Sequence, residues 1–130
     1  MFDHERLDVY HRAVAFLVLA NDVVEHLPRG RGYLADQLQR AALSIALNIA
    51  EGAGELSSQE KARFYRRARR SATESAALLD ACSHLRLLGE ERVAVARDLL
   101  LQIVSMLVSM IRYLGEEMPG KGKGKGKGKG

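Results

Sequence analysis

The 130 residues hold one cysteine, two prolines and no tryptophan. A lone Cys82 excludes an intramolecular disulfide framework and a cysteine-rich zinc site. It is compatible with a reducing compartment. Lysine is scarce too: five of the six lie at Lys121, Lys123, Lys125, Lys127 and Lys129. Without those five the chain has 15 basic against 16 acidic residues, a net of −1, so its +4 belongs to the last residues and not to the body. A long apolar run is also missing. The longest, Leu99 to Ile111, is interrupted by Gln102, Ser105 and Ser109 and reads as too short to span a bilayer. The first residues, with Asp3, His4, Glu5 and Arg6, lack the apolar stretch of a signal peptide. These features predict a soluble, cytoplasmic protein.

Catalytic signatures are missing as well. There is no Gly-rich phosphate loop, nucleophile elbow or zinc spacing, and Gly52-Ala53-Gly54 reads as a loop. A di-iron carboxylate site needs Glu-x-x-His pairs, and none precedes His11, His26 or His84. Asp80 and His84 stand at i,i+4 and read as a solvated surface pair. The expectation is no metal, no cofactor and no enzymatic activity.

What is present is helical periodicity. Apolar residues make up 47% of the chain, enough for a packed core, and the length suits one domain. Breakers at Pro28–Gly32, Gly52–Ser58, Gly89 and Gly115–Pro119 separate four segments without β alternation. The predicted helices are 7–27, 33–55, 58–88 and 90–114, within a domain of residues 1–118. The first has Tyr10, Ala13, Leu17, Ala20, Val24 and Leu27 on one face; the second Leu34, Leu38, Ala41, Ile45, Asn48 and Gly52. The third opens on a capping box, Ser57 with Glu60. Its face is Phe64, Ala68, Ser71, Ser75, Leu78, Cys82 and Leu85, and Gly89 is its expected left-handed stop. Short connections between such helices predict an all-α, antiparallel up-down-up-down four-helix bundle.

The fourth helix carries more apolar surface than a bundle buries. Ala96, Leu100, Ile103, Leu107, Met110 and Leu114 form the seam, yet the flanks are apolar too. Only Asp98, Gln102, Ser105, Ser109 and Arg112 interrupt them, as one narrow stripe. The excess predicts a homo-oligomer with Leu99, Leu101, Met106 and Val108 at its interface; a solitary bundle with a greasy flank is the alternative.

Three polar features remain. Arg40, Ser44, Asn48 and Glu51 line one helix, and Arg67, Ser71, Glu74 and Ser75 the next. They read as a polar network fixing helix register, or as a ligand or partner groove. Lys61, Arg63, Arg66, Arg67, Arg69 and Arg70 cluster within ten residues, with Phe64 and Tyr65 between them. Such a cluster is the footprint of phosphate-backbone binding, or else a solvated face balanced by nearby acids. The alternating Gly-Lys tail, residues 119–130, cannot bury anything and is expected to be disordered. Its five lysines could add to nucleic-acid binding, or the tail is an appendage without native function.

Gln39-Arg40-Ala41-Ala42-Leu43-Ser44-Ile45, followed by Asn48-Ile49-Ala50-Glu51-Gly52, resembles the signature of the small "four helix bundle" proteins of the 23S rRNA intervening-sequence protein family. Tyr33 to Gln39, Phe64, Ala68, Ser71, Glu74 and Leu87-Leu88-Gly89 fit the same pattern, so the resemblance spans about Leu7 to Leu114. Arg70 stands where the family usually has glycine, and the Gly-Lys tail departs from it. The resemblance implies a bacterial four-helix bundle that assembles into a ring, typically a pentamer. It makes Arg40, Ser44, Asn48, Glu51, Ser71 and Glu74 the motif residues. A related protein, the accessory variability determinant of diversity-generating retroelements, binds nucleic acid and a reverse transcriptase. The expected partners are therefore a second copy, RNA or DNA, and a nucleic-acid enzyme, with no membrane. The rival expectation is a protein-binding scaffold with no nucleic-acid binding of its own.

Overall fold

Helix signals dominate from Asp8 onward. A computed structural model describes residues 1–116. A short 3-10 turn, Asp3–Arg6, leads into α1 (Asp8–Glu25), α2 (Gly32–Ala53), α3 (Ser58–His84) and α4 (Glu90–Glu116). There is no strand among the described residues. The readings of the Gly-Lys tail, and with them Lys121 to Lys129, lie outside those residues.

The four helices share one core. Val9, Phe16, Leu38, Ile45, Ile49, Leu79, Leu100, Ile103 and Leu107 are fully buried in it. The seam expected on α4 is buried except for Met110, which is half-buried. On α1 the buried face is Val9, Ala13, Phe16, Ala20 and Val23. It is rotated from the expected one, so Tyr10, Leu17 and Val24 only flank it, and Leu27 lies beyond the helix end. The run from Ala13 to Ala20 is apolar throughout, so two overlapping stripes satisfy the helical period. On α3 the core takes Ala62, Tyr65, Ala68, Ala72, Ser75, Leu79 and Cys82, again a partial match. Small residues there let a neighbouring helix approach closely.

Helix ends obey local chemistry with two departures. Ser57 Oγ accepts the Glu60 N–H at 3.1 Å, but the Glu60 carboxylate turns to Arg63, so half of the expected capping box forms. The third helix stops at His84 rather than Leu88. Arg86, at φ 60°, takes the left-handed position expected of Gly89. The Arg86 N–H bonds to Ser83 C=O and the Leu87 N–H to Cys82 C=O, both at 2.9 Å, which is the paired Schellman closure. Gly89 instead precedes α4, where its carbonyl accepts the Val93 N–H at 3.2 Å.

By length and composition α4 is sufficient to cross a membrane, which corrects the expectation that its apolar stretch is too short. Such a helix also suits a soluble core, and Ala96, Leu100, Ile103 and Leu107 are buried here.

Candidate functional site

The basic run lies wholly on α3, where its six side chains have different surroundings. Lys61 turns back and donates to the Ala53 carbonyl at 2.9 Å, satisfying the end of α2. Arg63 pairs with Glu60 at 3.2 Å. The Arg67 guanidinium lies 5.2 Å from the centroid of the Phe64 ring, a cation–π contact. Arg66, Arg69 and Arg70 are exposed, and their guanidinium groups have no ion pair or hydrogen bond among the described residues. The six therefore split into one structural ammonium, two arginines with local partners and three uncommitted arginines.

Arg112 belongs to the polar stripe of α4. It is also exposed and without an ion pair among the described residues. Asp80 on α3 reaches Arg97 on α4 at 2.8 Å, while Tyr65 shares a cavity wall with Ser109 and Tyr113. Those contacts bring Arg112 level with the arginine-rich end of α3. Cross-helix neighbours of this kind have no signal in local periodicity.

The predicted polar network forms at its centre and not at its ends. Ser44 Oγ and Ser71 Oγ are 2.8 Å apart across α2 and α3. Asn48 Nδ2 donates to Ser44 Oγ at 3.0 Å and to the Ser44 carbonyl at 2.9 Å. Ser75, fully buried, donates to the Ser71 carbonyl at 2.9 Å. Arg40 pairs instead with Asp36 on its own helix at 3.2 Å. Glu51 and Glu74 are exposed and have no ion pair or hydrogen bond among the described residues. Short side chains reach across the seam; the longer ones at its ends point to water.

Gly52 ends the motif string and explains it sterically. A Cβ there would lie 2.7 Å from Tyr65 Cε1 and 3.1 Å from Phe64 Cβ. The Gly52-Ala53 pair is the last turn of α2 rather than a loop. Burial pushes the Tyr65 phenol above its ordinary pKa, and the Cys82 thiol likewise.

The four expected interface residues differ in exposure. Leu101 is 62% exposed. Leu99 and Met106 are half-buried against the core, and Val108 is half-buried. Val95, on the apolar flank of α4, is 59% exposed, and Val18 on α1, at 67%, is a further exposed apolar residue outside the expected interface. His84 Nδ1–H donates to the Asp80 carbonyl at 2.8 Å. No His, Cys, Asp and Glu group suited to a metal occurs among the described residues.

The helical arrangement agrees with what comparison with known proteins shows. The model of the 23S rRNA-intervening sequence protein family matches residues 5–109. The chain belongs to that family. Among solved structures, it resembles a protein of unknown function from the S23 ribosomal protein family of Bacteroides thetaiotaomicron VPI-5482. The two share 20% identity with a TM-score of 0.75, over 80% of this chain and 98% of that one. That likeness shows the fold. A search of curated proteins gives no match.

Proposed function

We propose that this family member is a non-enzymatic, homo-oligomeric protein that binds the phosphate backbone of RNA or DNA as an accessory to a nucleic-acid enzyme in the cytoplasm. One observation carries the binding reading. Arg66, Arg69 and Arg70 sit on one helix as exposed guanidinium groups with no acidic partner among the described residues. A solvated face balanced by neighbouring acids would have used them. Arginine forks suit phosphate oxygens, and the exposed Arg112 stands at a similar height on α4.

The assembly reading has its own support. Ser44 meets Ser71, while Gly52 lies against Tyr65, which favours opposite directions for α2 and α3 and an up-down-up-down bundle. Exposed Leu101, Val18 and Val95 offer apolar area for a second copy, and the resemblance suggests a ring of five. The same surfaces also favour a second reading, a scaffold whose partner is a protein.

The test is fluorescence anisotropy with mixed-sequence RNA and duplex DNA over a salt series. It is run on the full chain and on a form truncated after Pro119, with mass measured by light scattering. Arg66→Glu with Arg70→Glu is expected to weaken binding at least about tenfold and to flatten the log–log salt slope by about 2. Binding carried entirely by residues after Pro119, or absent, sinks the arginine assignment and leaves the scaffold. Leu101→Glu is expected to lower the assembled mass, since a charge in a dry interface is costly.

A further inference from the structure

The start of α1, the α2–α3 connection and the last turns of α4 do not close over one another. A cavity of about 580 Å³ lies between Leu56, Ser58, Lys61 and Tyr65 on one side and Met110, Tyr113 and Leu114 on the other. A second, of about 400 Å³, opens between Leu7, Asp8, Val9, Ser105 and Met106, with the Asp8 carboxylate paired to Arg12 at 3.2 Å. Ser109 and Met110 line both, so the two lie side by side along α4 and form a groove there. That is the size of an ordinary small-ligand site, with apolar walls and a few polar groups.

The polar groups converge. Ser58, Lys61 and Tyr65 follow one another at i, i+3 and i+7, so they share a face of α3. Tyr65 is 4% exposed, yet its hydroxyl has no hydrogen bond among the described residues. A buried phenol without a partner is costly, and an acceptor brought into the cavity would remove that cost. Lys61 commits donors to the Ala53 carbonyl at 2.9 Å and the Gly52 carbonyl at 3.5 Å. An ammonium has three, so at least one remains for a ligand. No carboxylate lines the wall around Tyr65 and Lys61. The head group that fits is an anion with two acceptor oxygens, and the body that fits is a flexible apolar chain against Met106 and Met110.

We propose that this groove binds one free medium-chain carboxylate. Its oxygens accept from the Tyr65 hydroxyl and the Lys61 ammonium, and its alkyl chain lies along α4 toward Leu7. The site is independent of the arginine surface and of the nucleic-acid reading.

The test is calorimetric titration of the full chain with decanoate, below its micelle-forming concentration. Decyltrimethylammonium and acetate serve as controls for chain without anion and anion without chain. Saturable one-to-one binding of decanoate alone is expected. Tyr65→Phe keeps the ring against Gly52 and removes only the donor; it is expected to weaken binding about tenfold. Ser109→Phe, at an exposed position lining both cavities, is expected to abolish binding while circular dichroism shows unchanged helicity. Equal uptake of the ammonium chain overturns the carboxylate assignment. Binding that survives both substitutions, or matches acetate, places the anion on other cations and overturns the site. No binding of decanoate overturns the proposal outright. Uptake only with anionic phospholipid vesicles overturns it in favour of a lipid surface.

Discussion

Where α2 meets α3 the side chains are short, and where α1 meets α4 they are long. The first seam is made by Gly52 against Tyr65 and by the Ser44–Ser71 hydroxyl pair, with Asn48 beside it. The second is bridged by Arg12 to Gln102 and by Arg92 to Asp22. Asp8 and Asp98 extend the first of those bridges, at 3.2 Å to Arg12 and 2.9 Å to Gln102. One seam brings the backbones close, with Gly52 against the Tyr65 ring. The other spans a gap with flexible arms and leaves cavity space beside Met106. The difference teaches where one core is rigid and where it has room, for a second copy or a ligand.

The largest test of this contrast is Gly52→Leu. Overpacking against a ring that is 4% exposed is expected to cost about 3 kcal/mol in denaturant unfolding, more than the helix propensity gained. Gly32→Ala, with nothing within 4 Å of its Cβ, is expected to be neutral or stabilising. Equal effects at the two glycines would mean that the seam is not close-packed.

Next in size is the hydroxyl pair. Ser44→Ala or Ser71→Ala leaves a half-buried hydroxyl unmatched and is expected to cost about 1–1.5 kcal/mol. The double substitution is expected to cost less than the two single losses together, because both partners then leave at once. Strict additivity in the double-mutant cycle would show that the 2.8 Å contact contributes nothing.

A third test uses protonation. Burial raises the Tyr65 pKa above its ordinary value of 10.0. The unfolded chain therefore loses this proton first as pH rises. The contribution to stability is present below about pH 10 and falls as pH climbs through and beyond it. Tyr65→Phe is expected to remove that part of the alkaline loss in a pH series of thermal unfolding. An unchanged alkaline slope would mean that the phenol is not buried in solution.

The contrast between seams also decides what was legible beforehand. The α4 face stood out because Asp98, Gln102, Ser105 and Ser109 mark its opposite side in the sequence. The α1 face did not, since a helix apolar on most sides carries no unique stripe. Ser44, Asn48 and Ser71 were found by spacing, because short side chains at helical intervals must meet whatever packs on them. Arg40, Glu51 and Glu74 shared that spacing but have reach enough to leave the seam. Gly52 had a signal, a glycine ending a helical string, that was read as a break rather than a close approach. The sorting of Lys61 from Arg66 rested on a carbonyl of the preceding helix, which no local pattern encodes. Arg86 in a left-handed turn had no sequence signal either, because glycine three residues later was the better local candidate.

The smallest expected effect lies at the long-armed seam. Arg92 and Asp22 retain 35% and 47% of their side-chain exposure, so water and salt screen their attraction. Arg92→Gln is expected to cost about 0.5 kcal/mol at low ionic strength and almost nothing in high salt. The Ser44→Ala loss is expected to persist in high salt, because a hydroxyl pair carries no net charge to screen. Unfolding both variants at two salt concentrations measures this directly. If Arg92→Gln instead costs as much as Ser44→Ala and ignores salt, the arm is packed rather than solvated. The α1–α4 seam would then be as closed as its counterpart, with less freedom to open for a second copy.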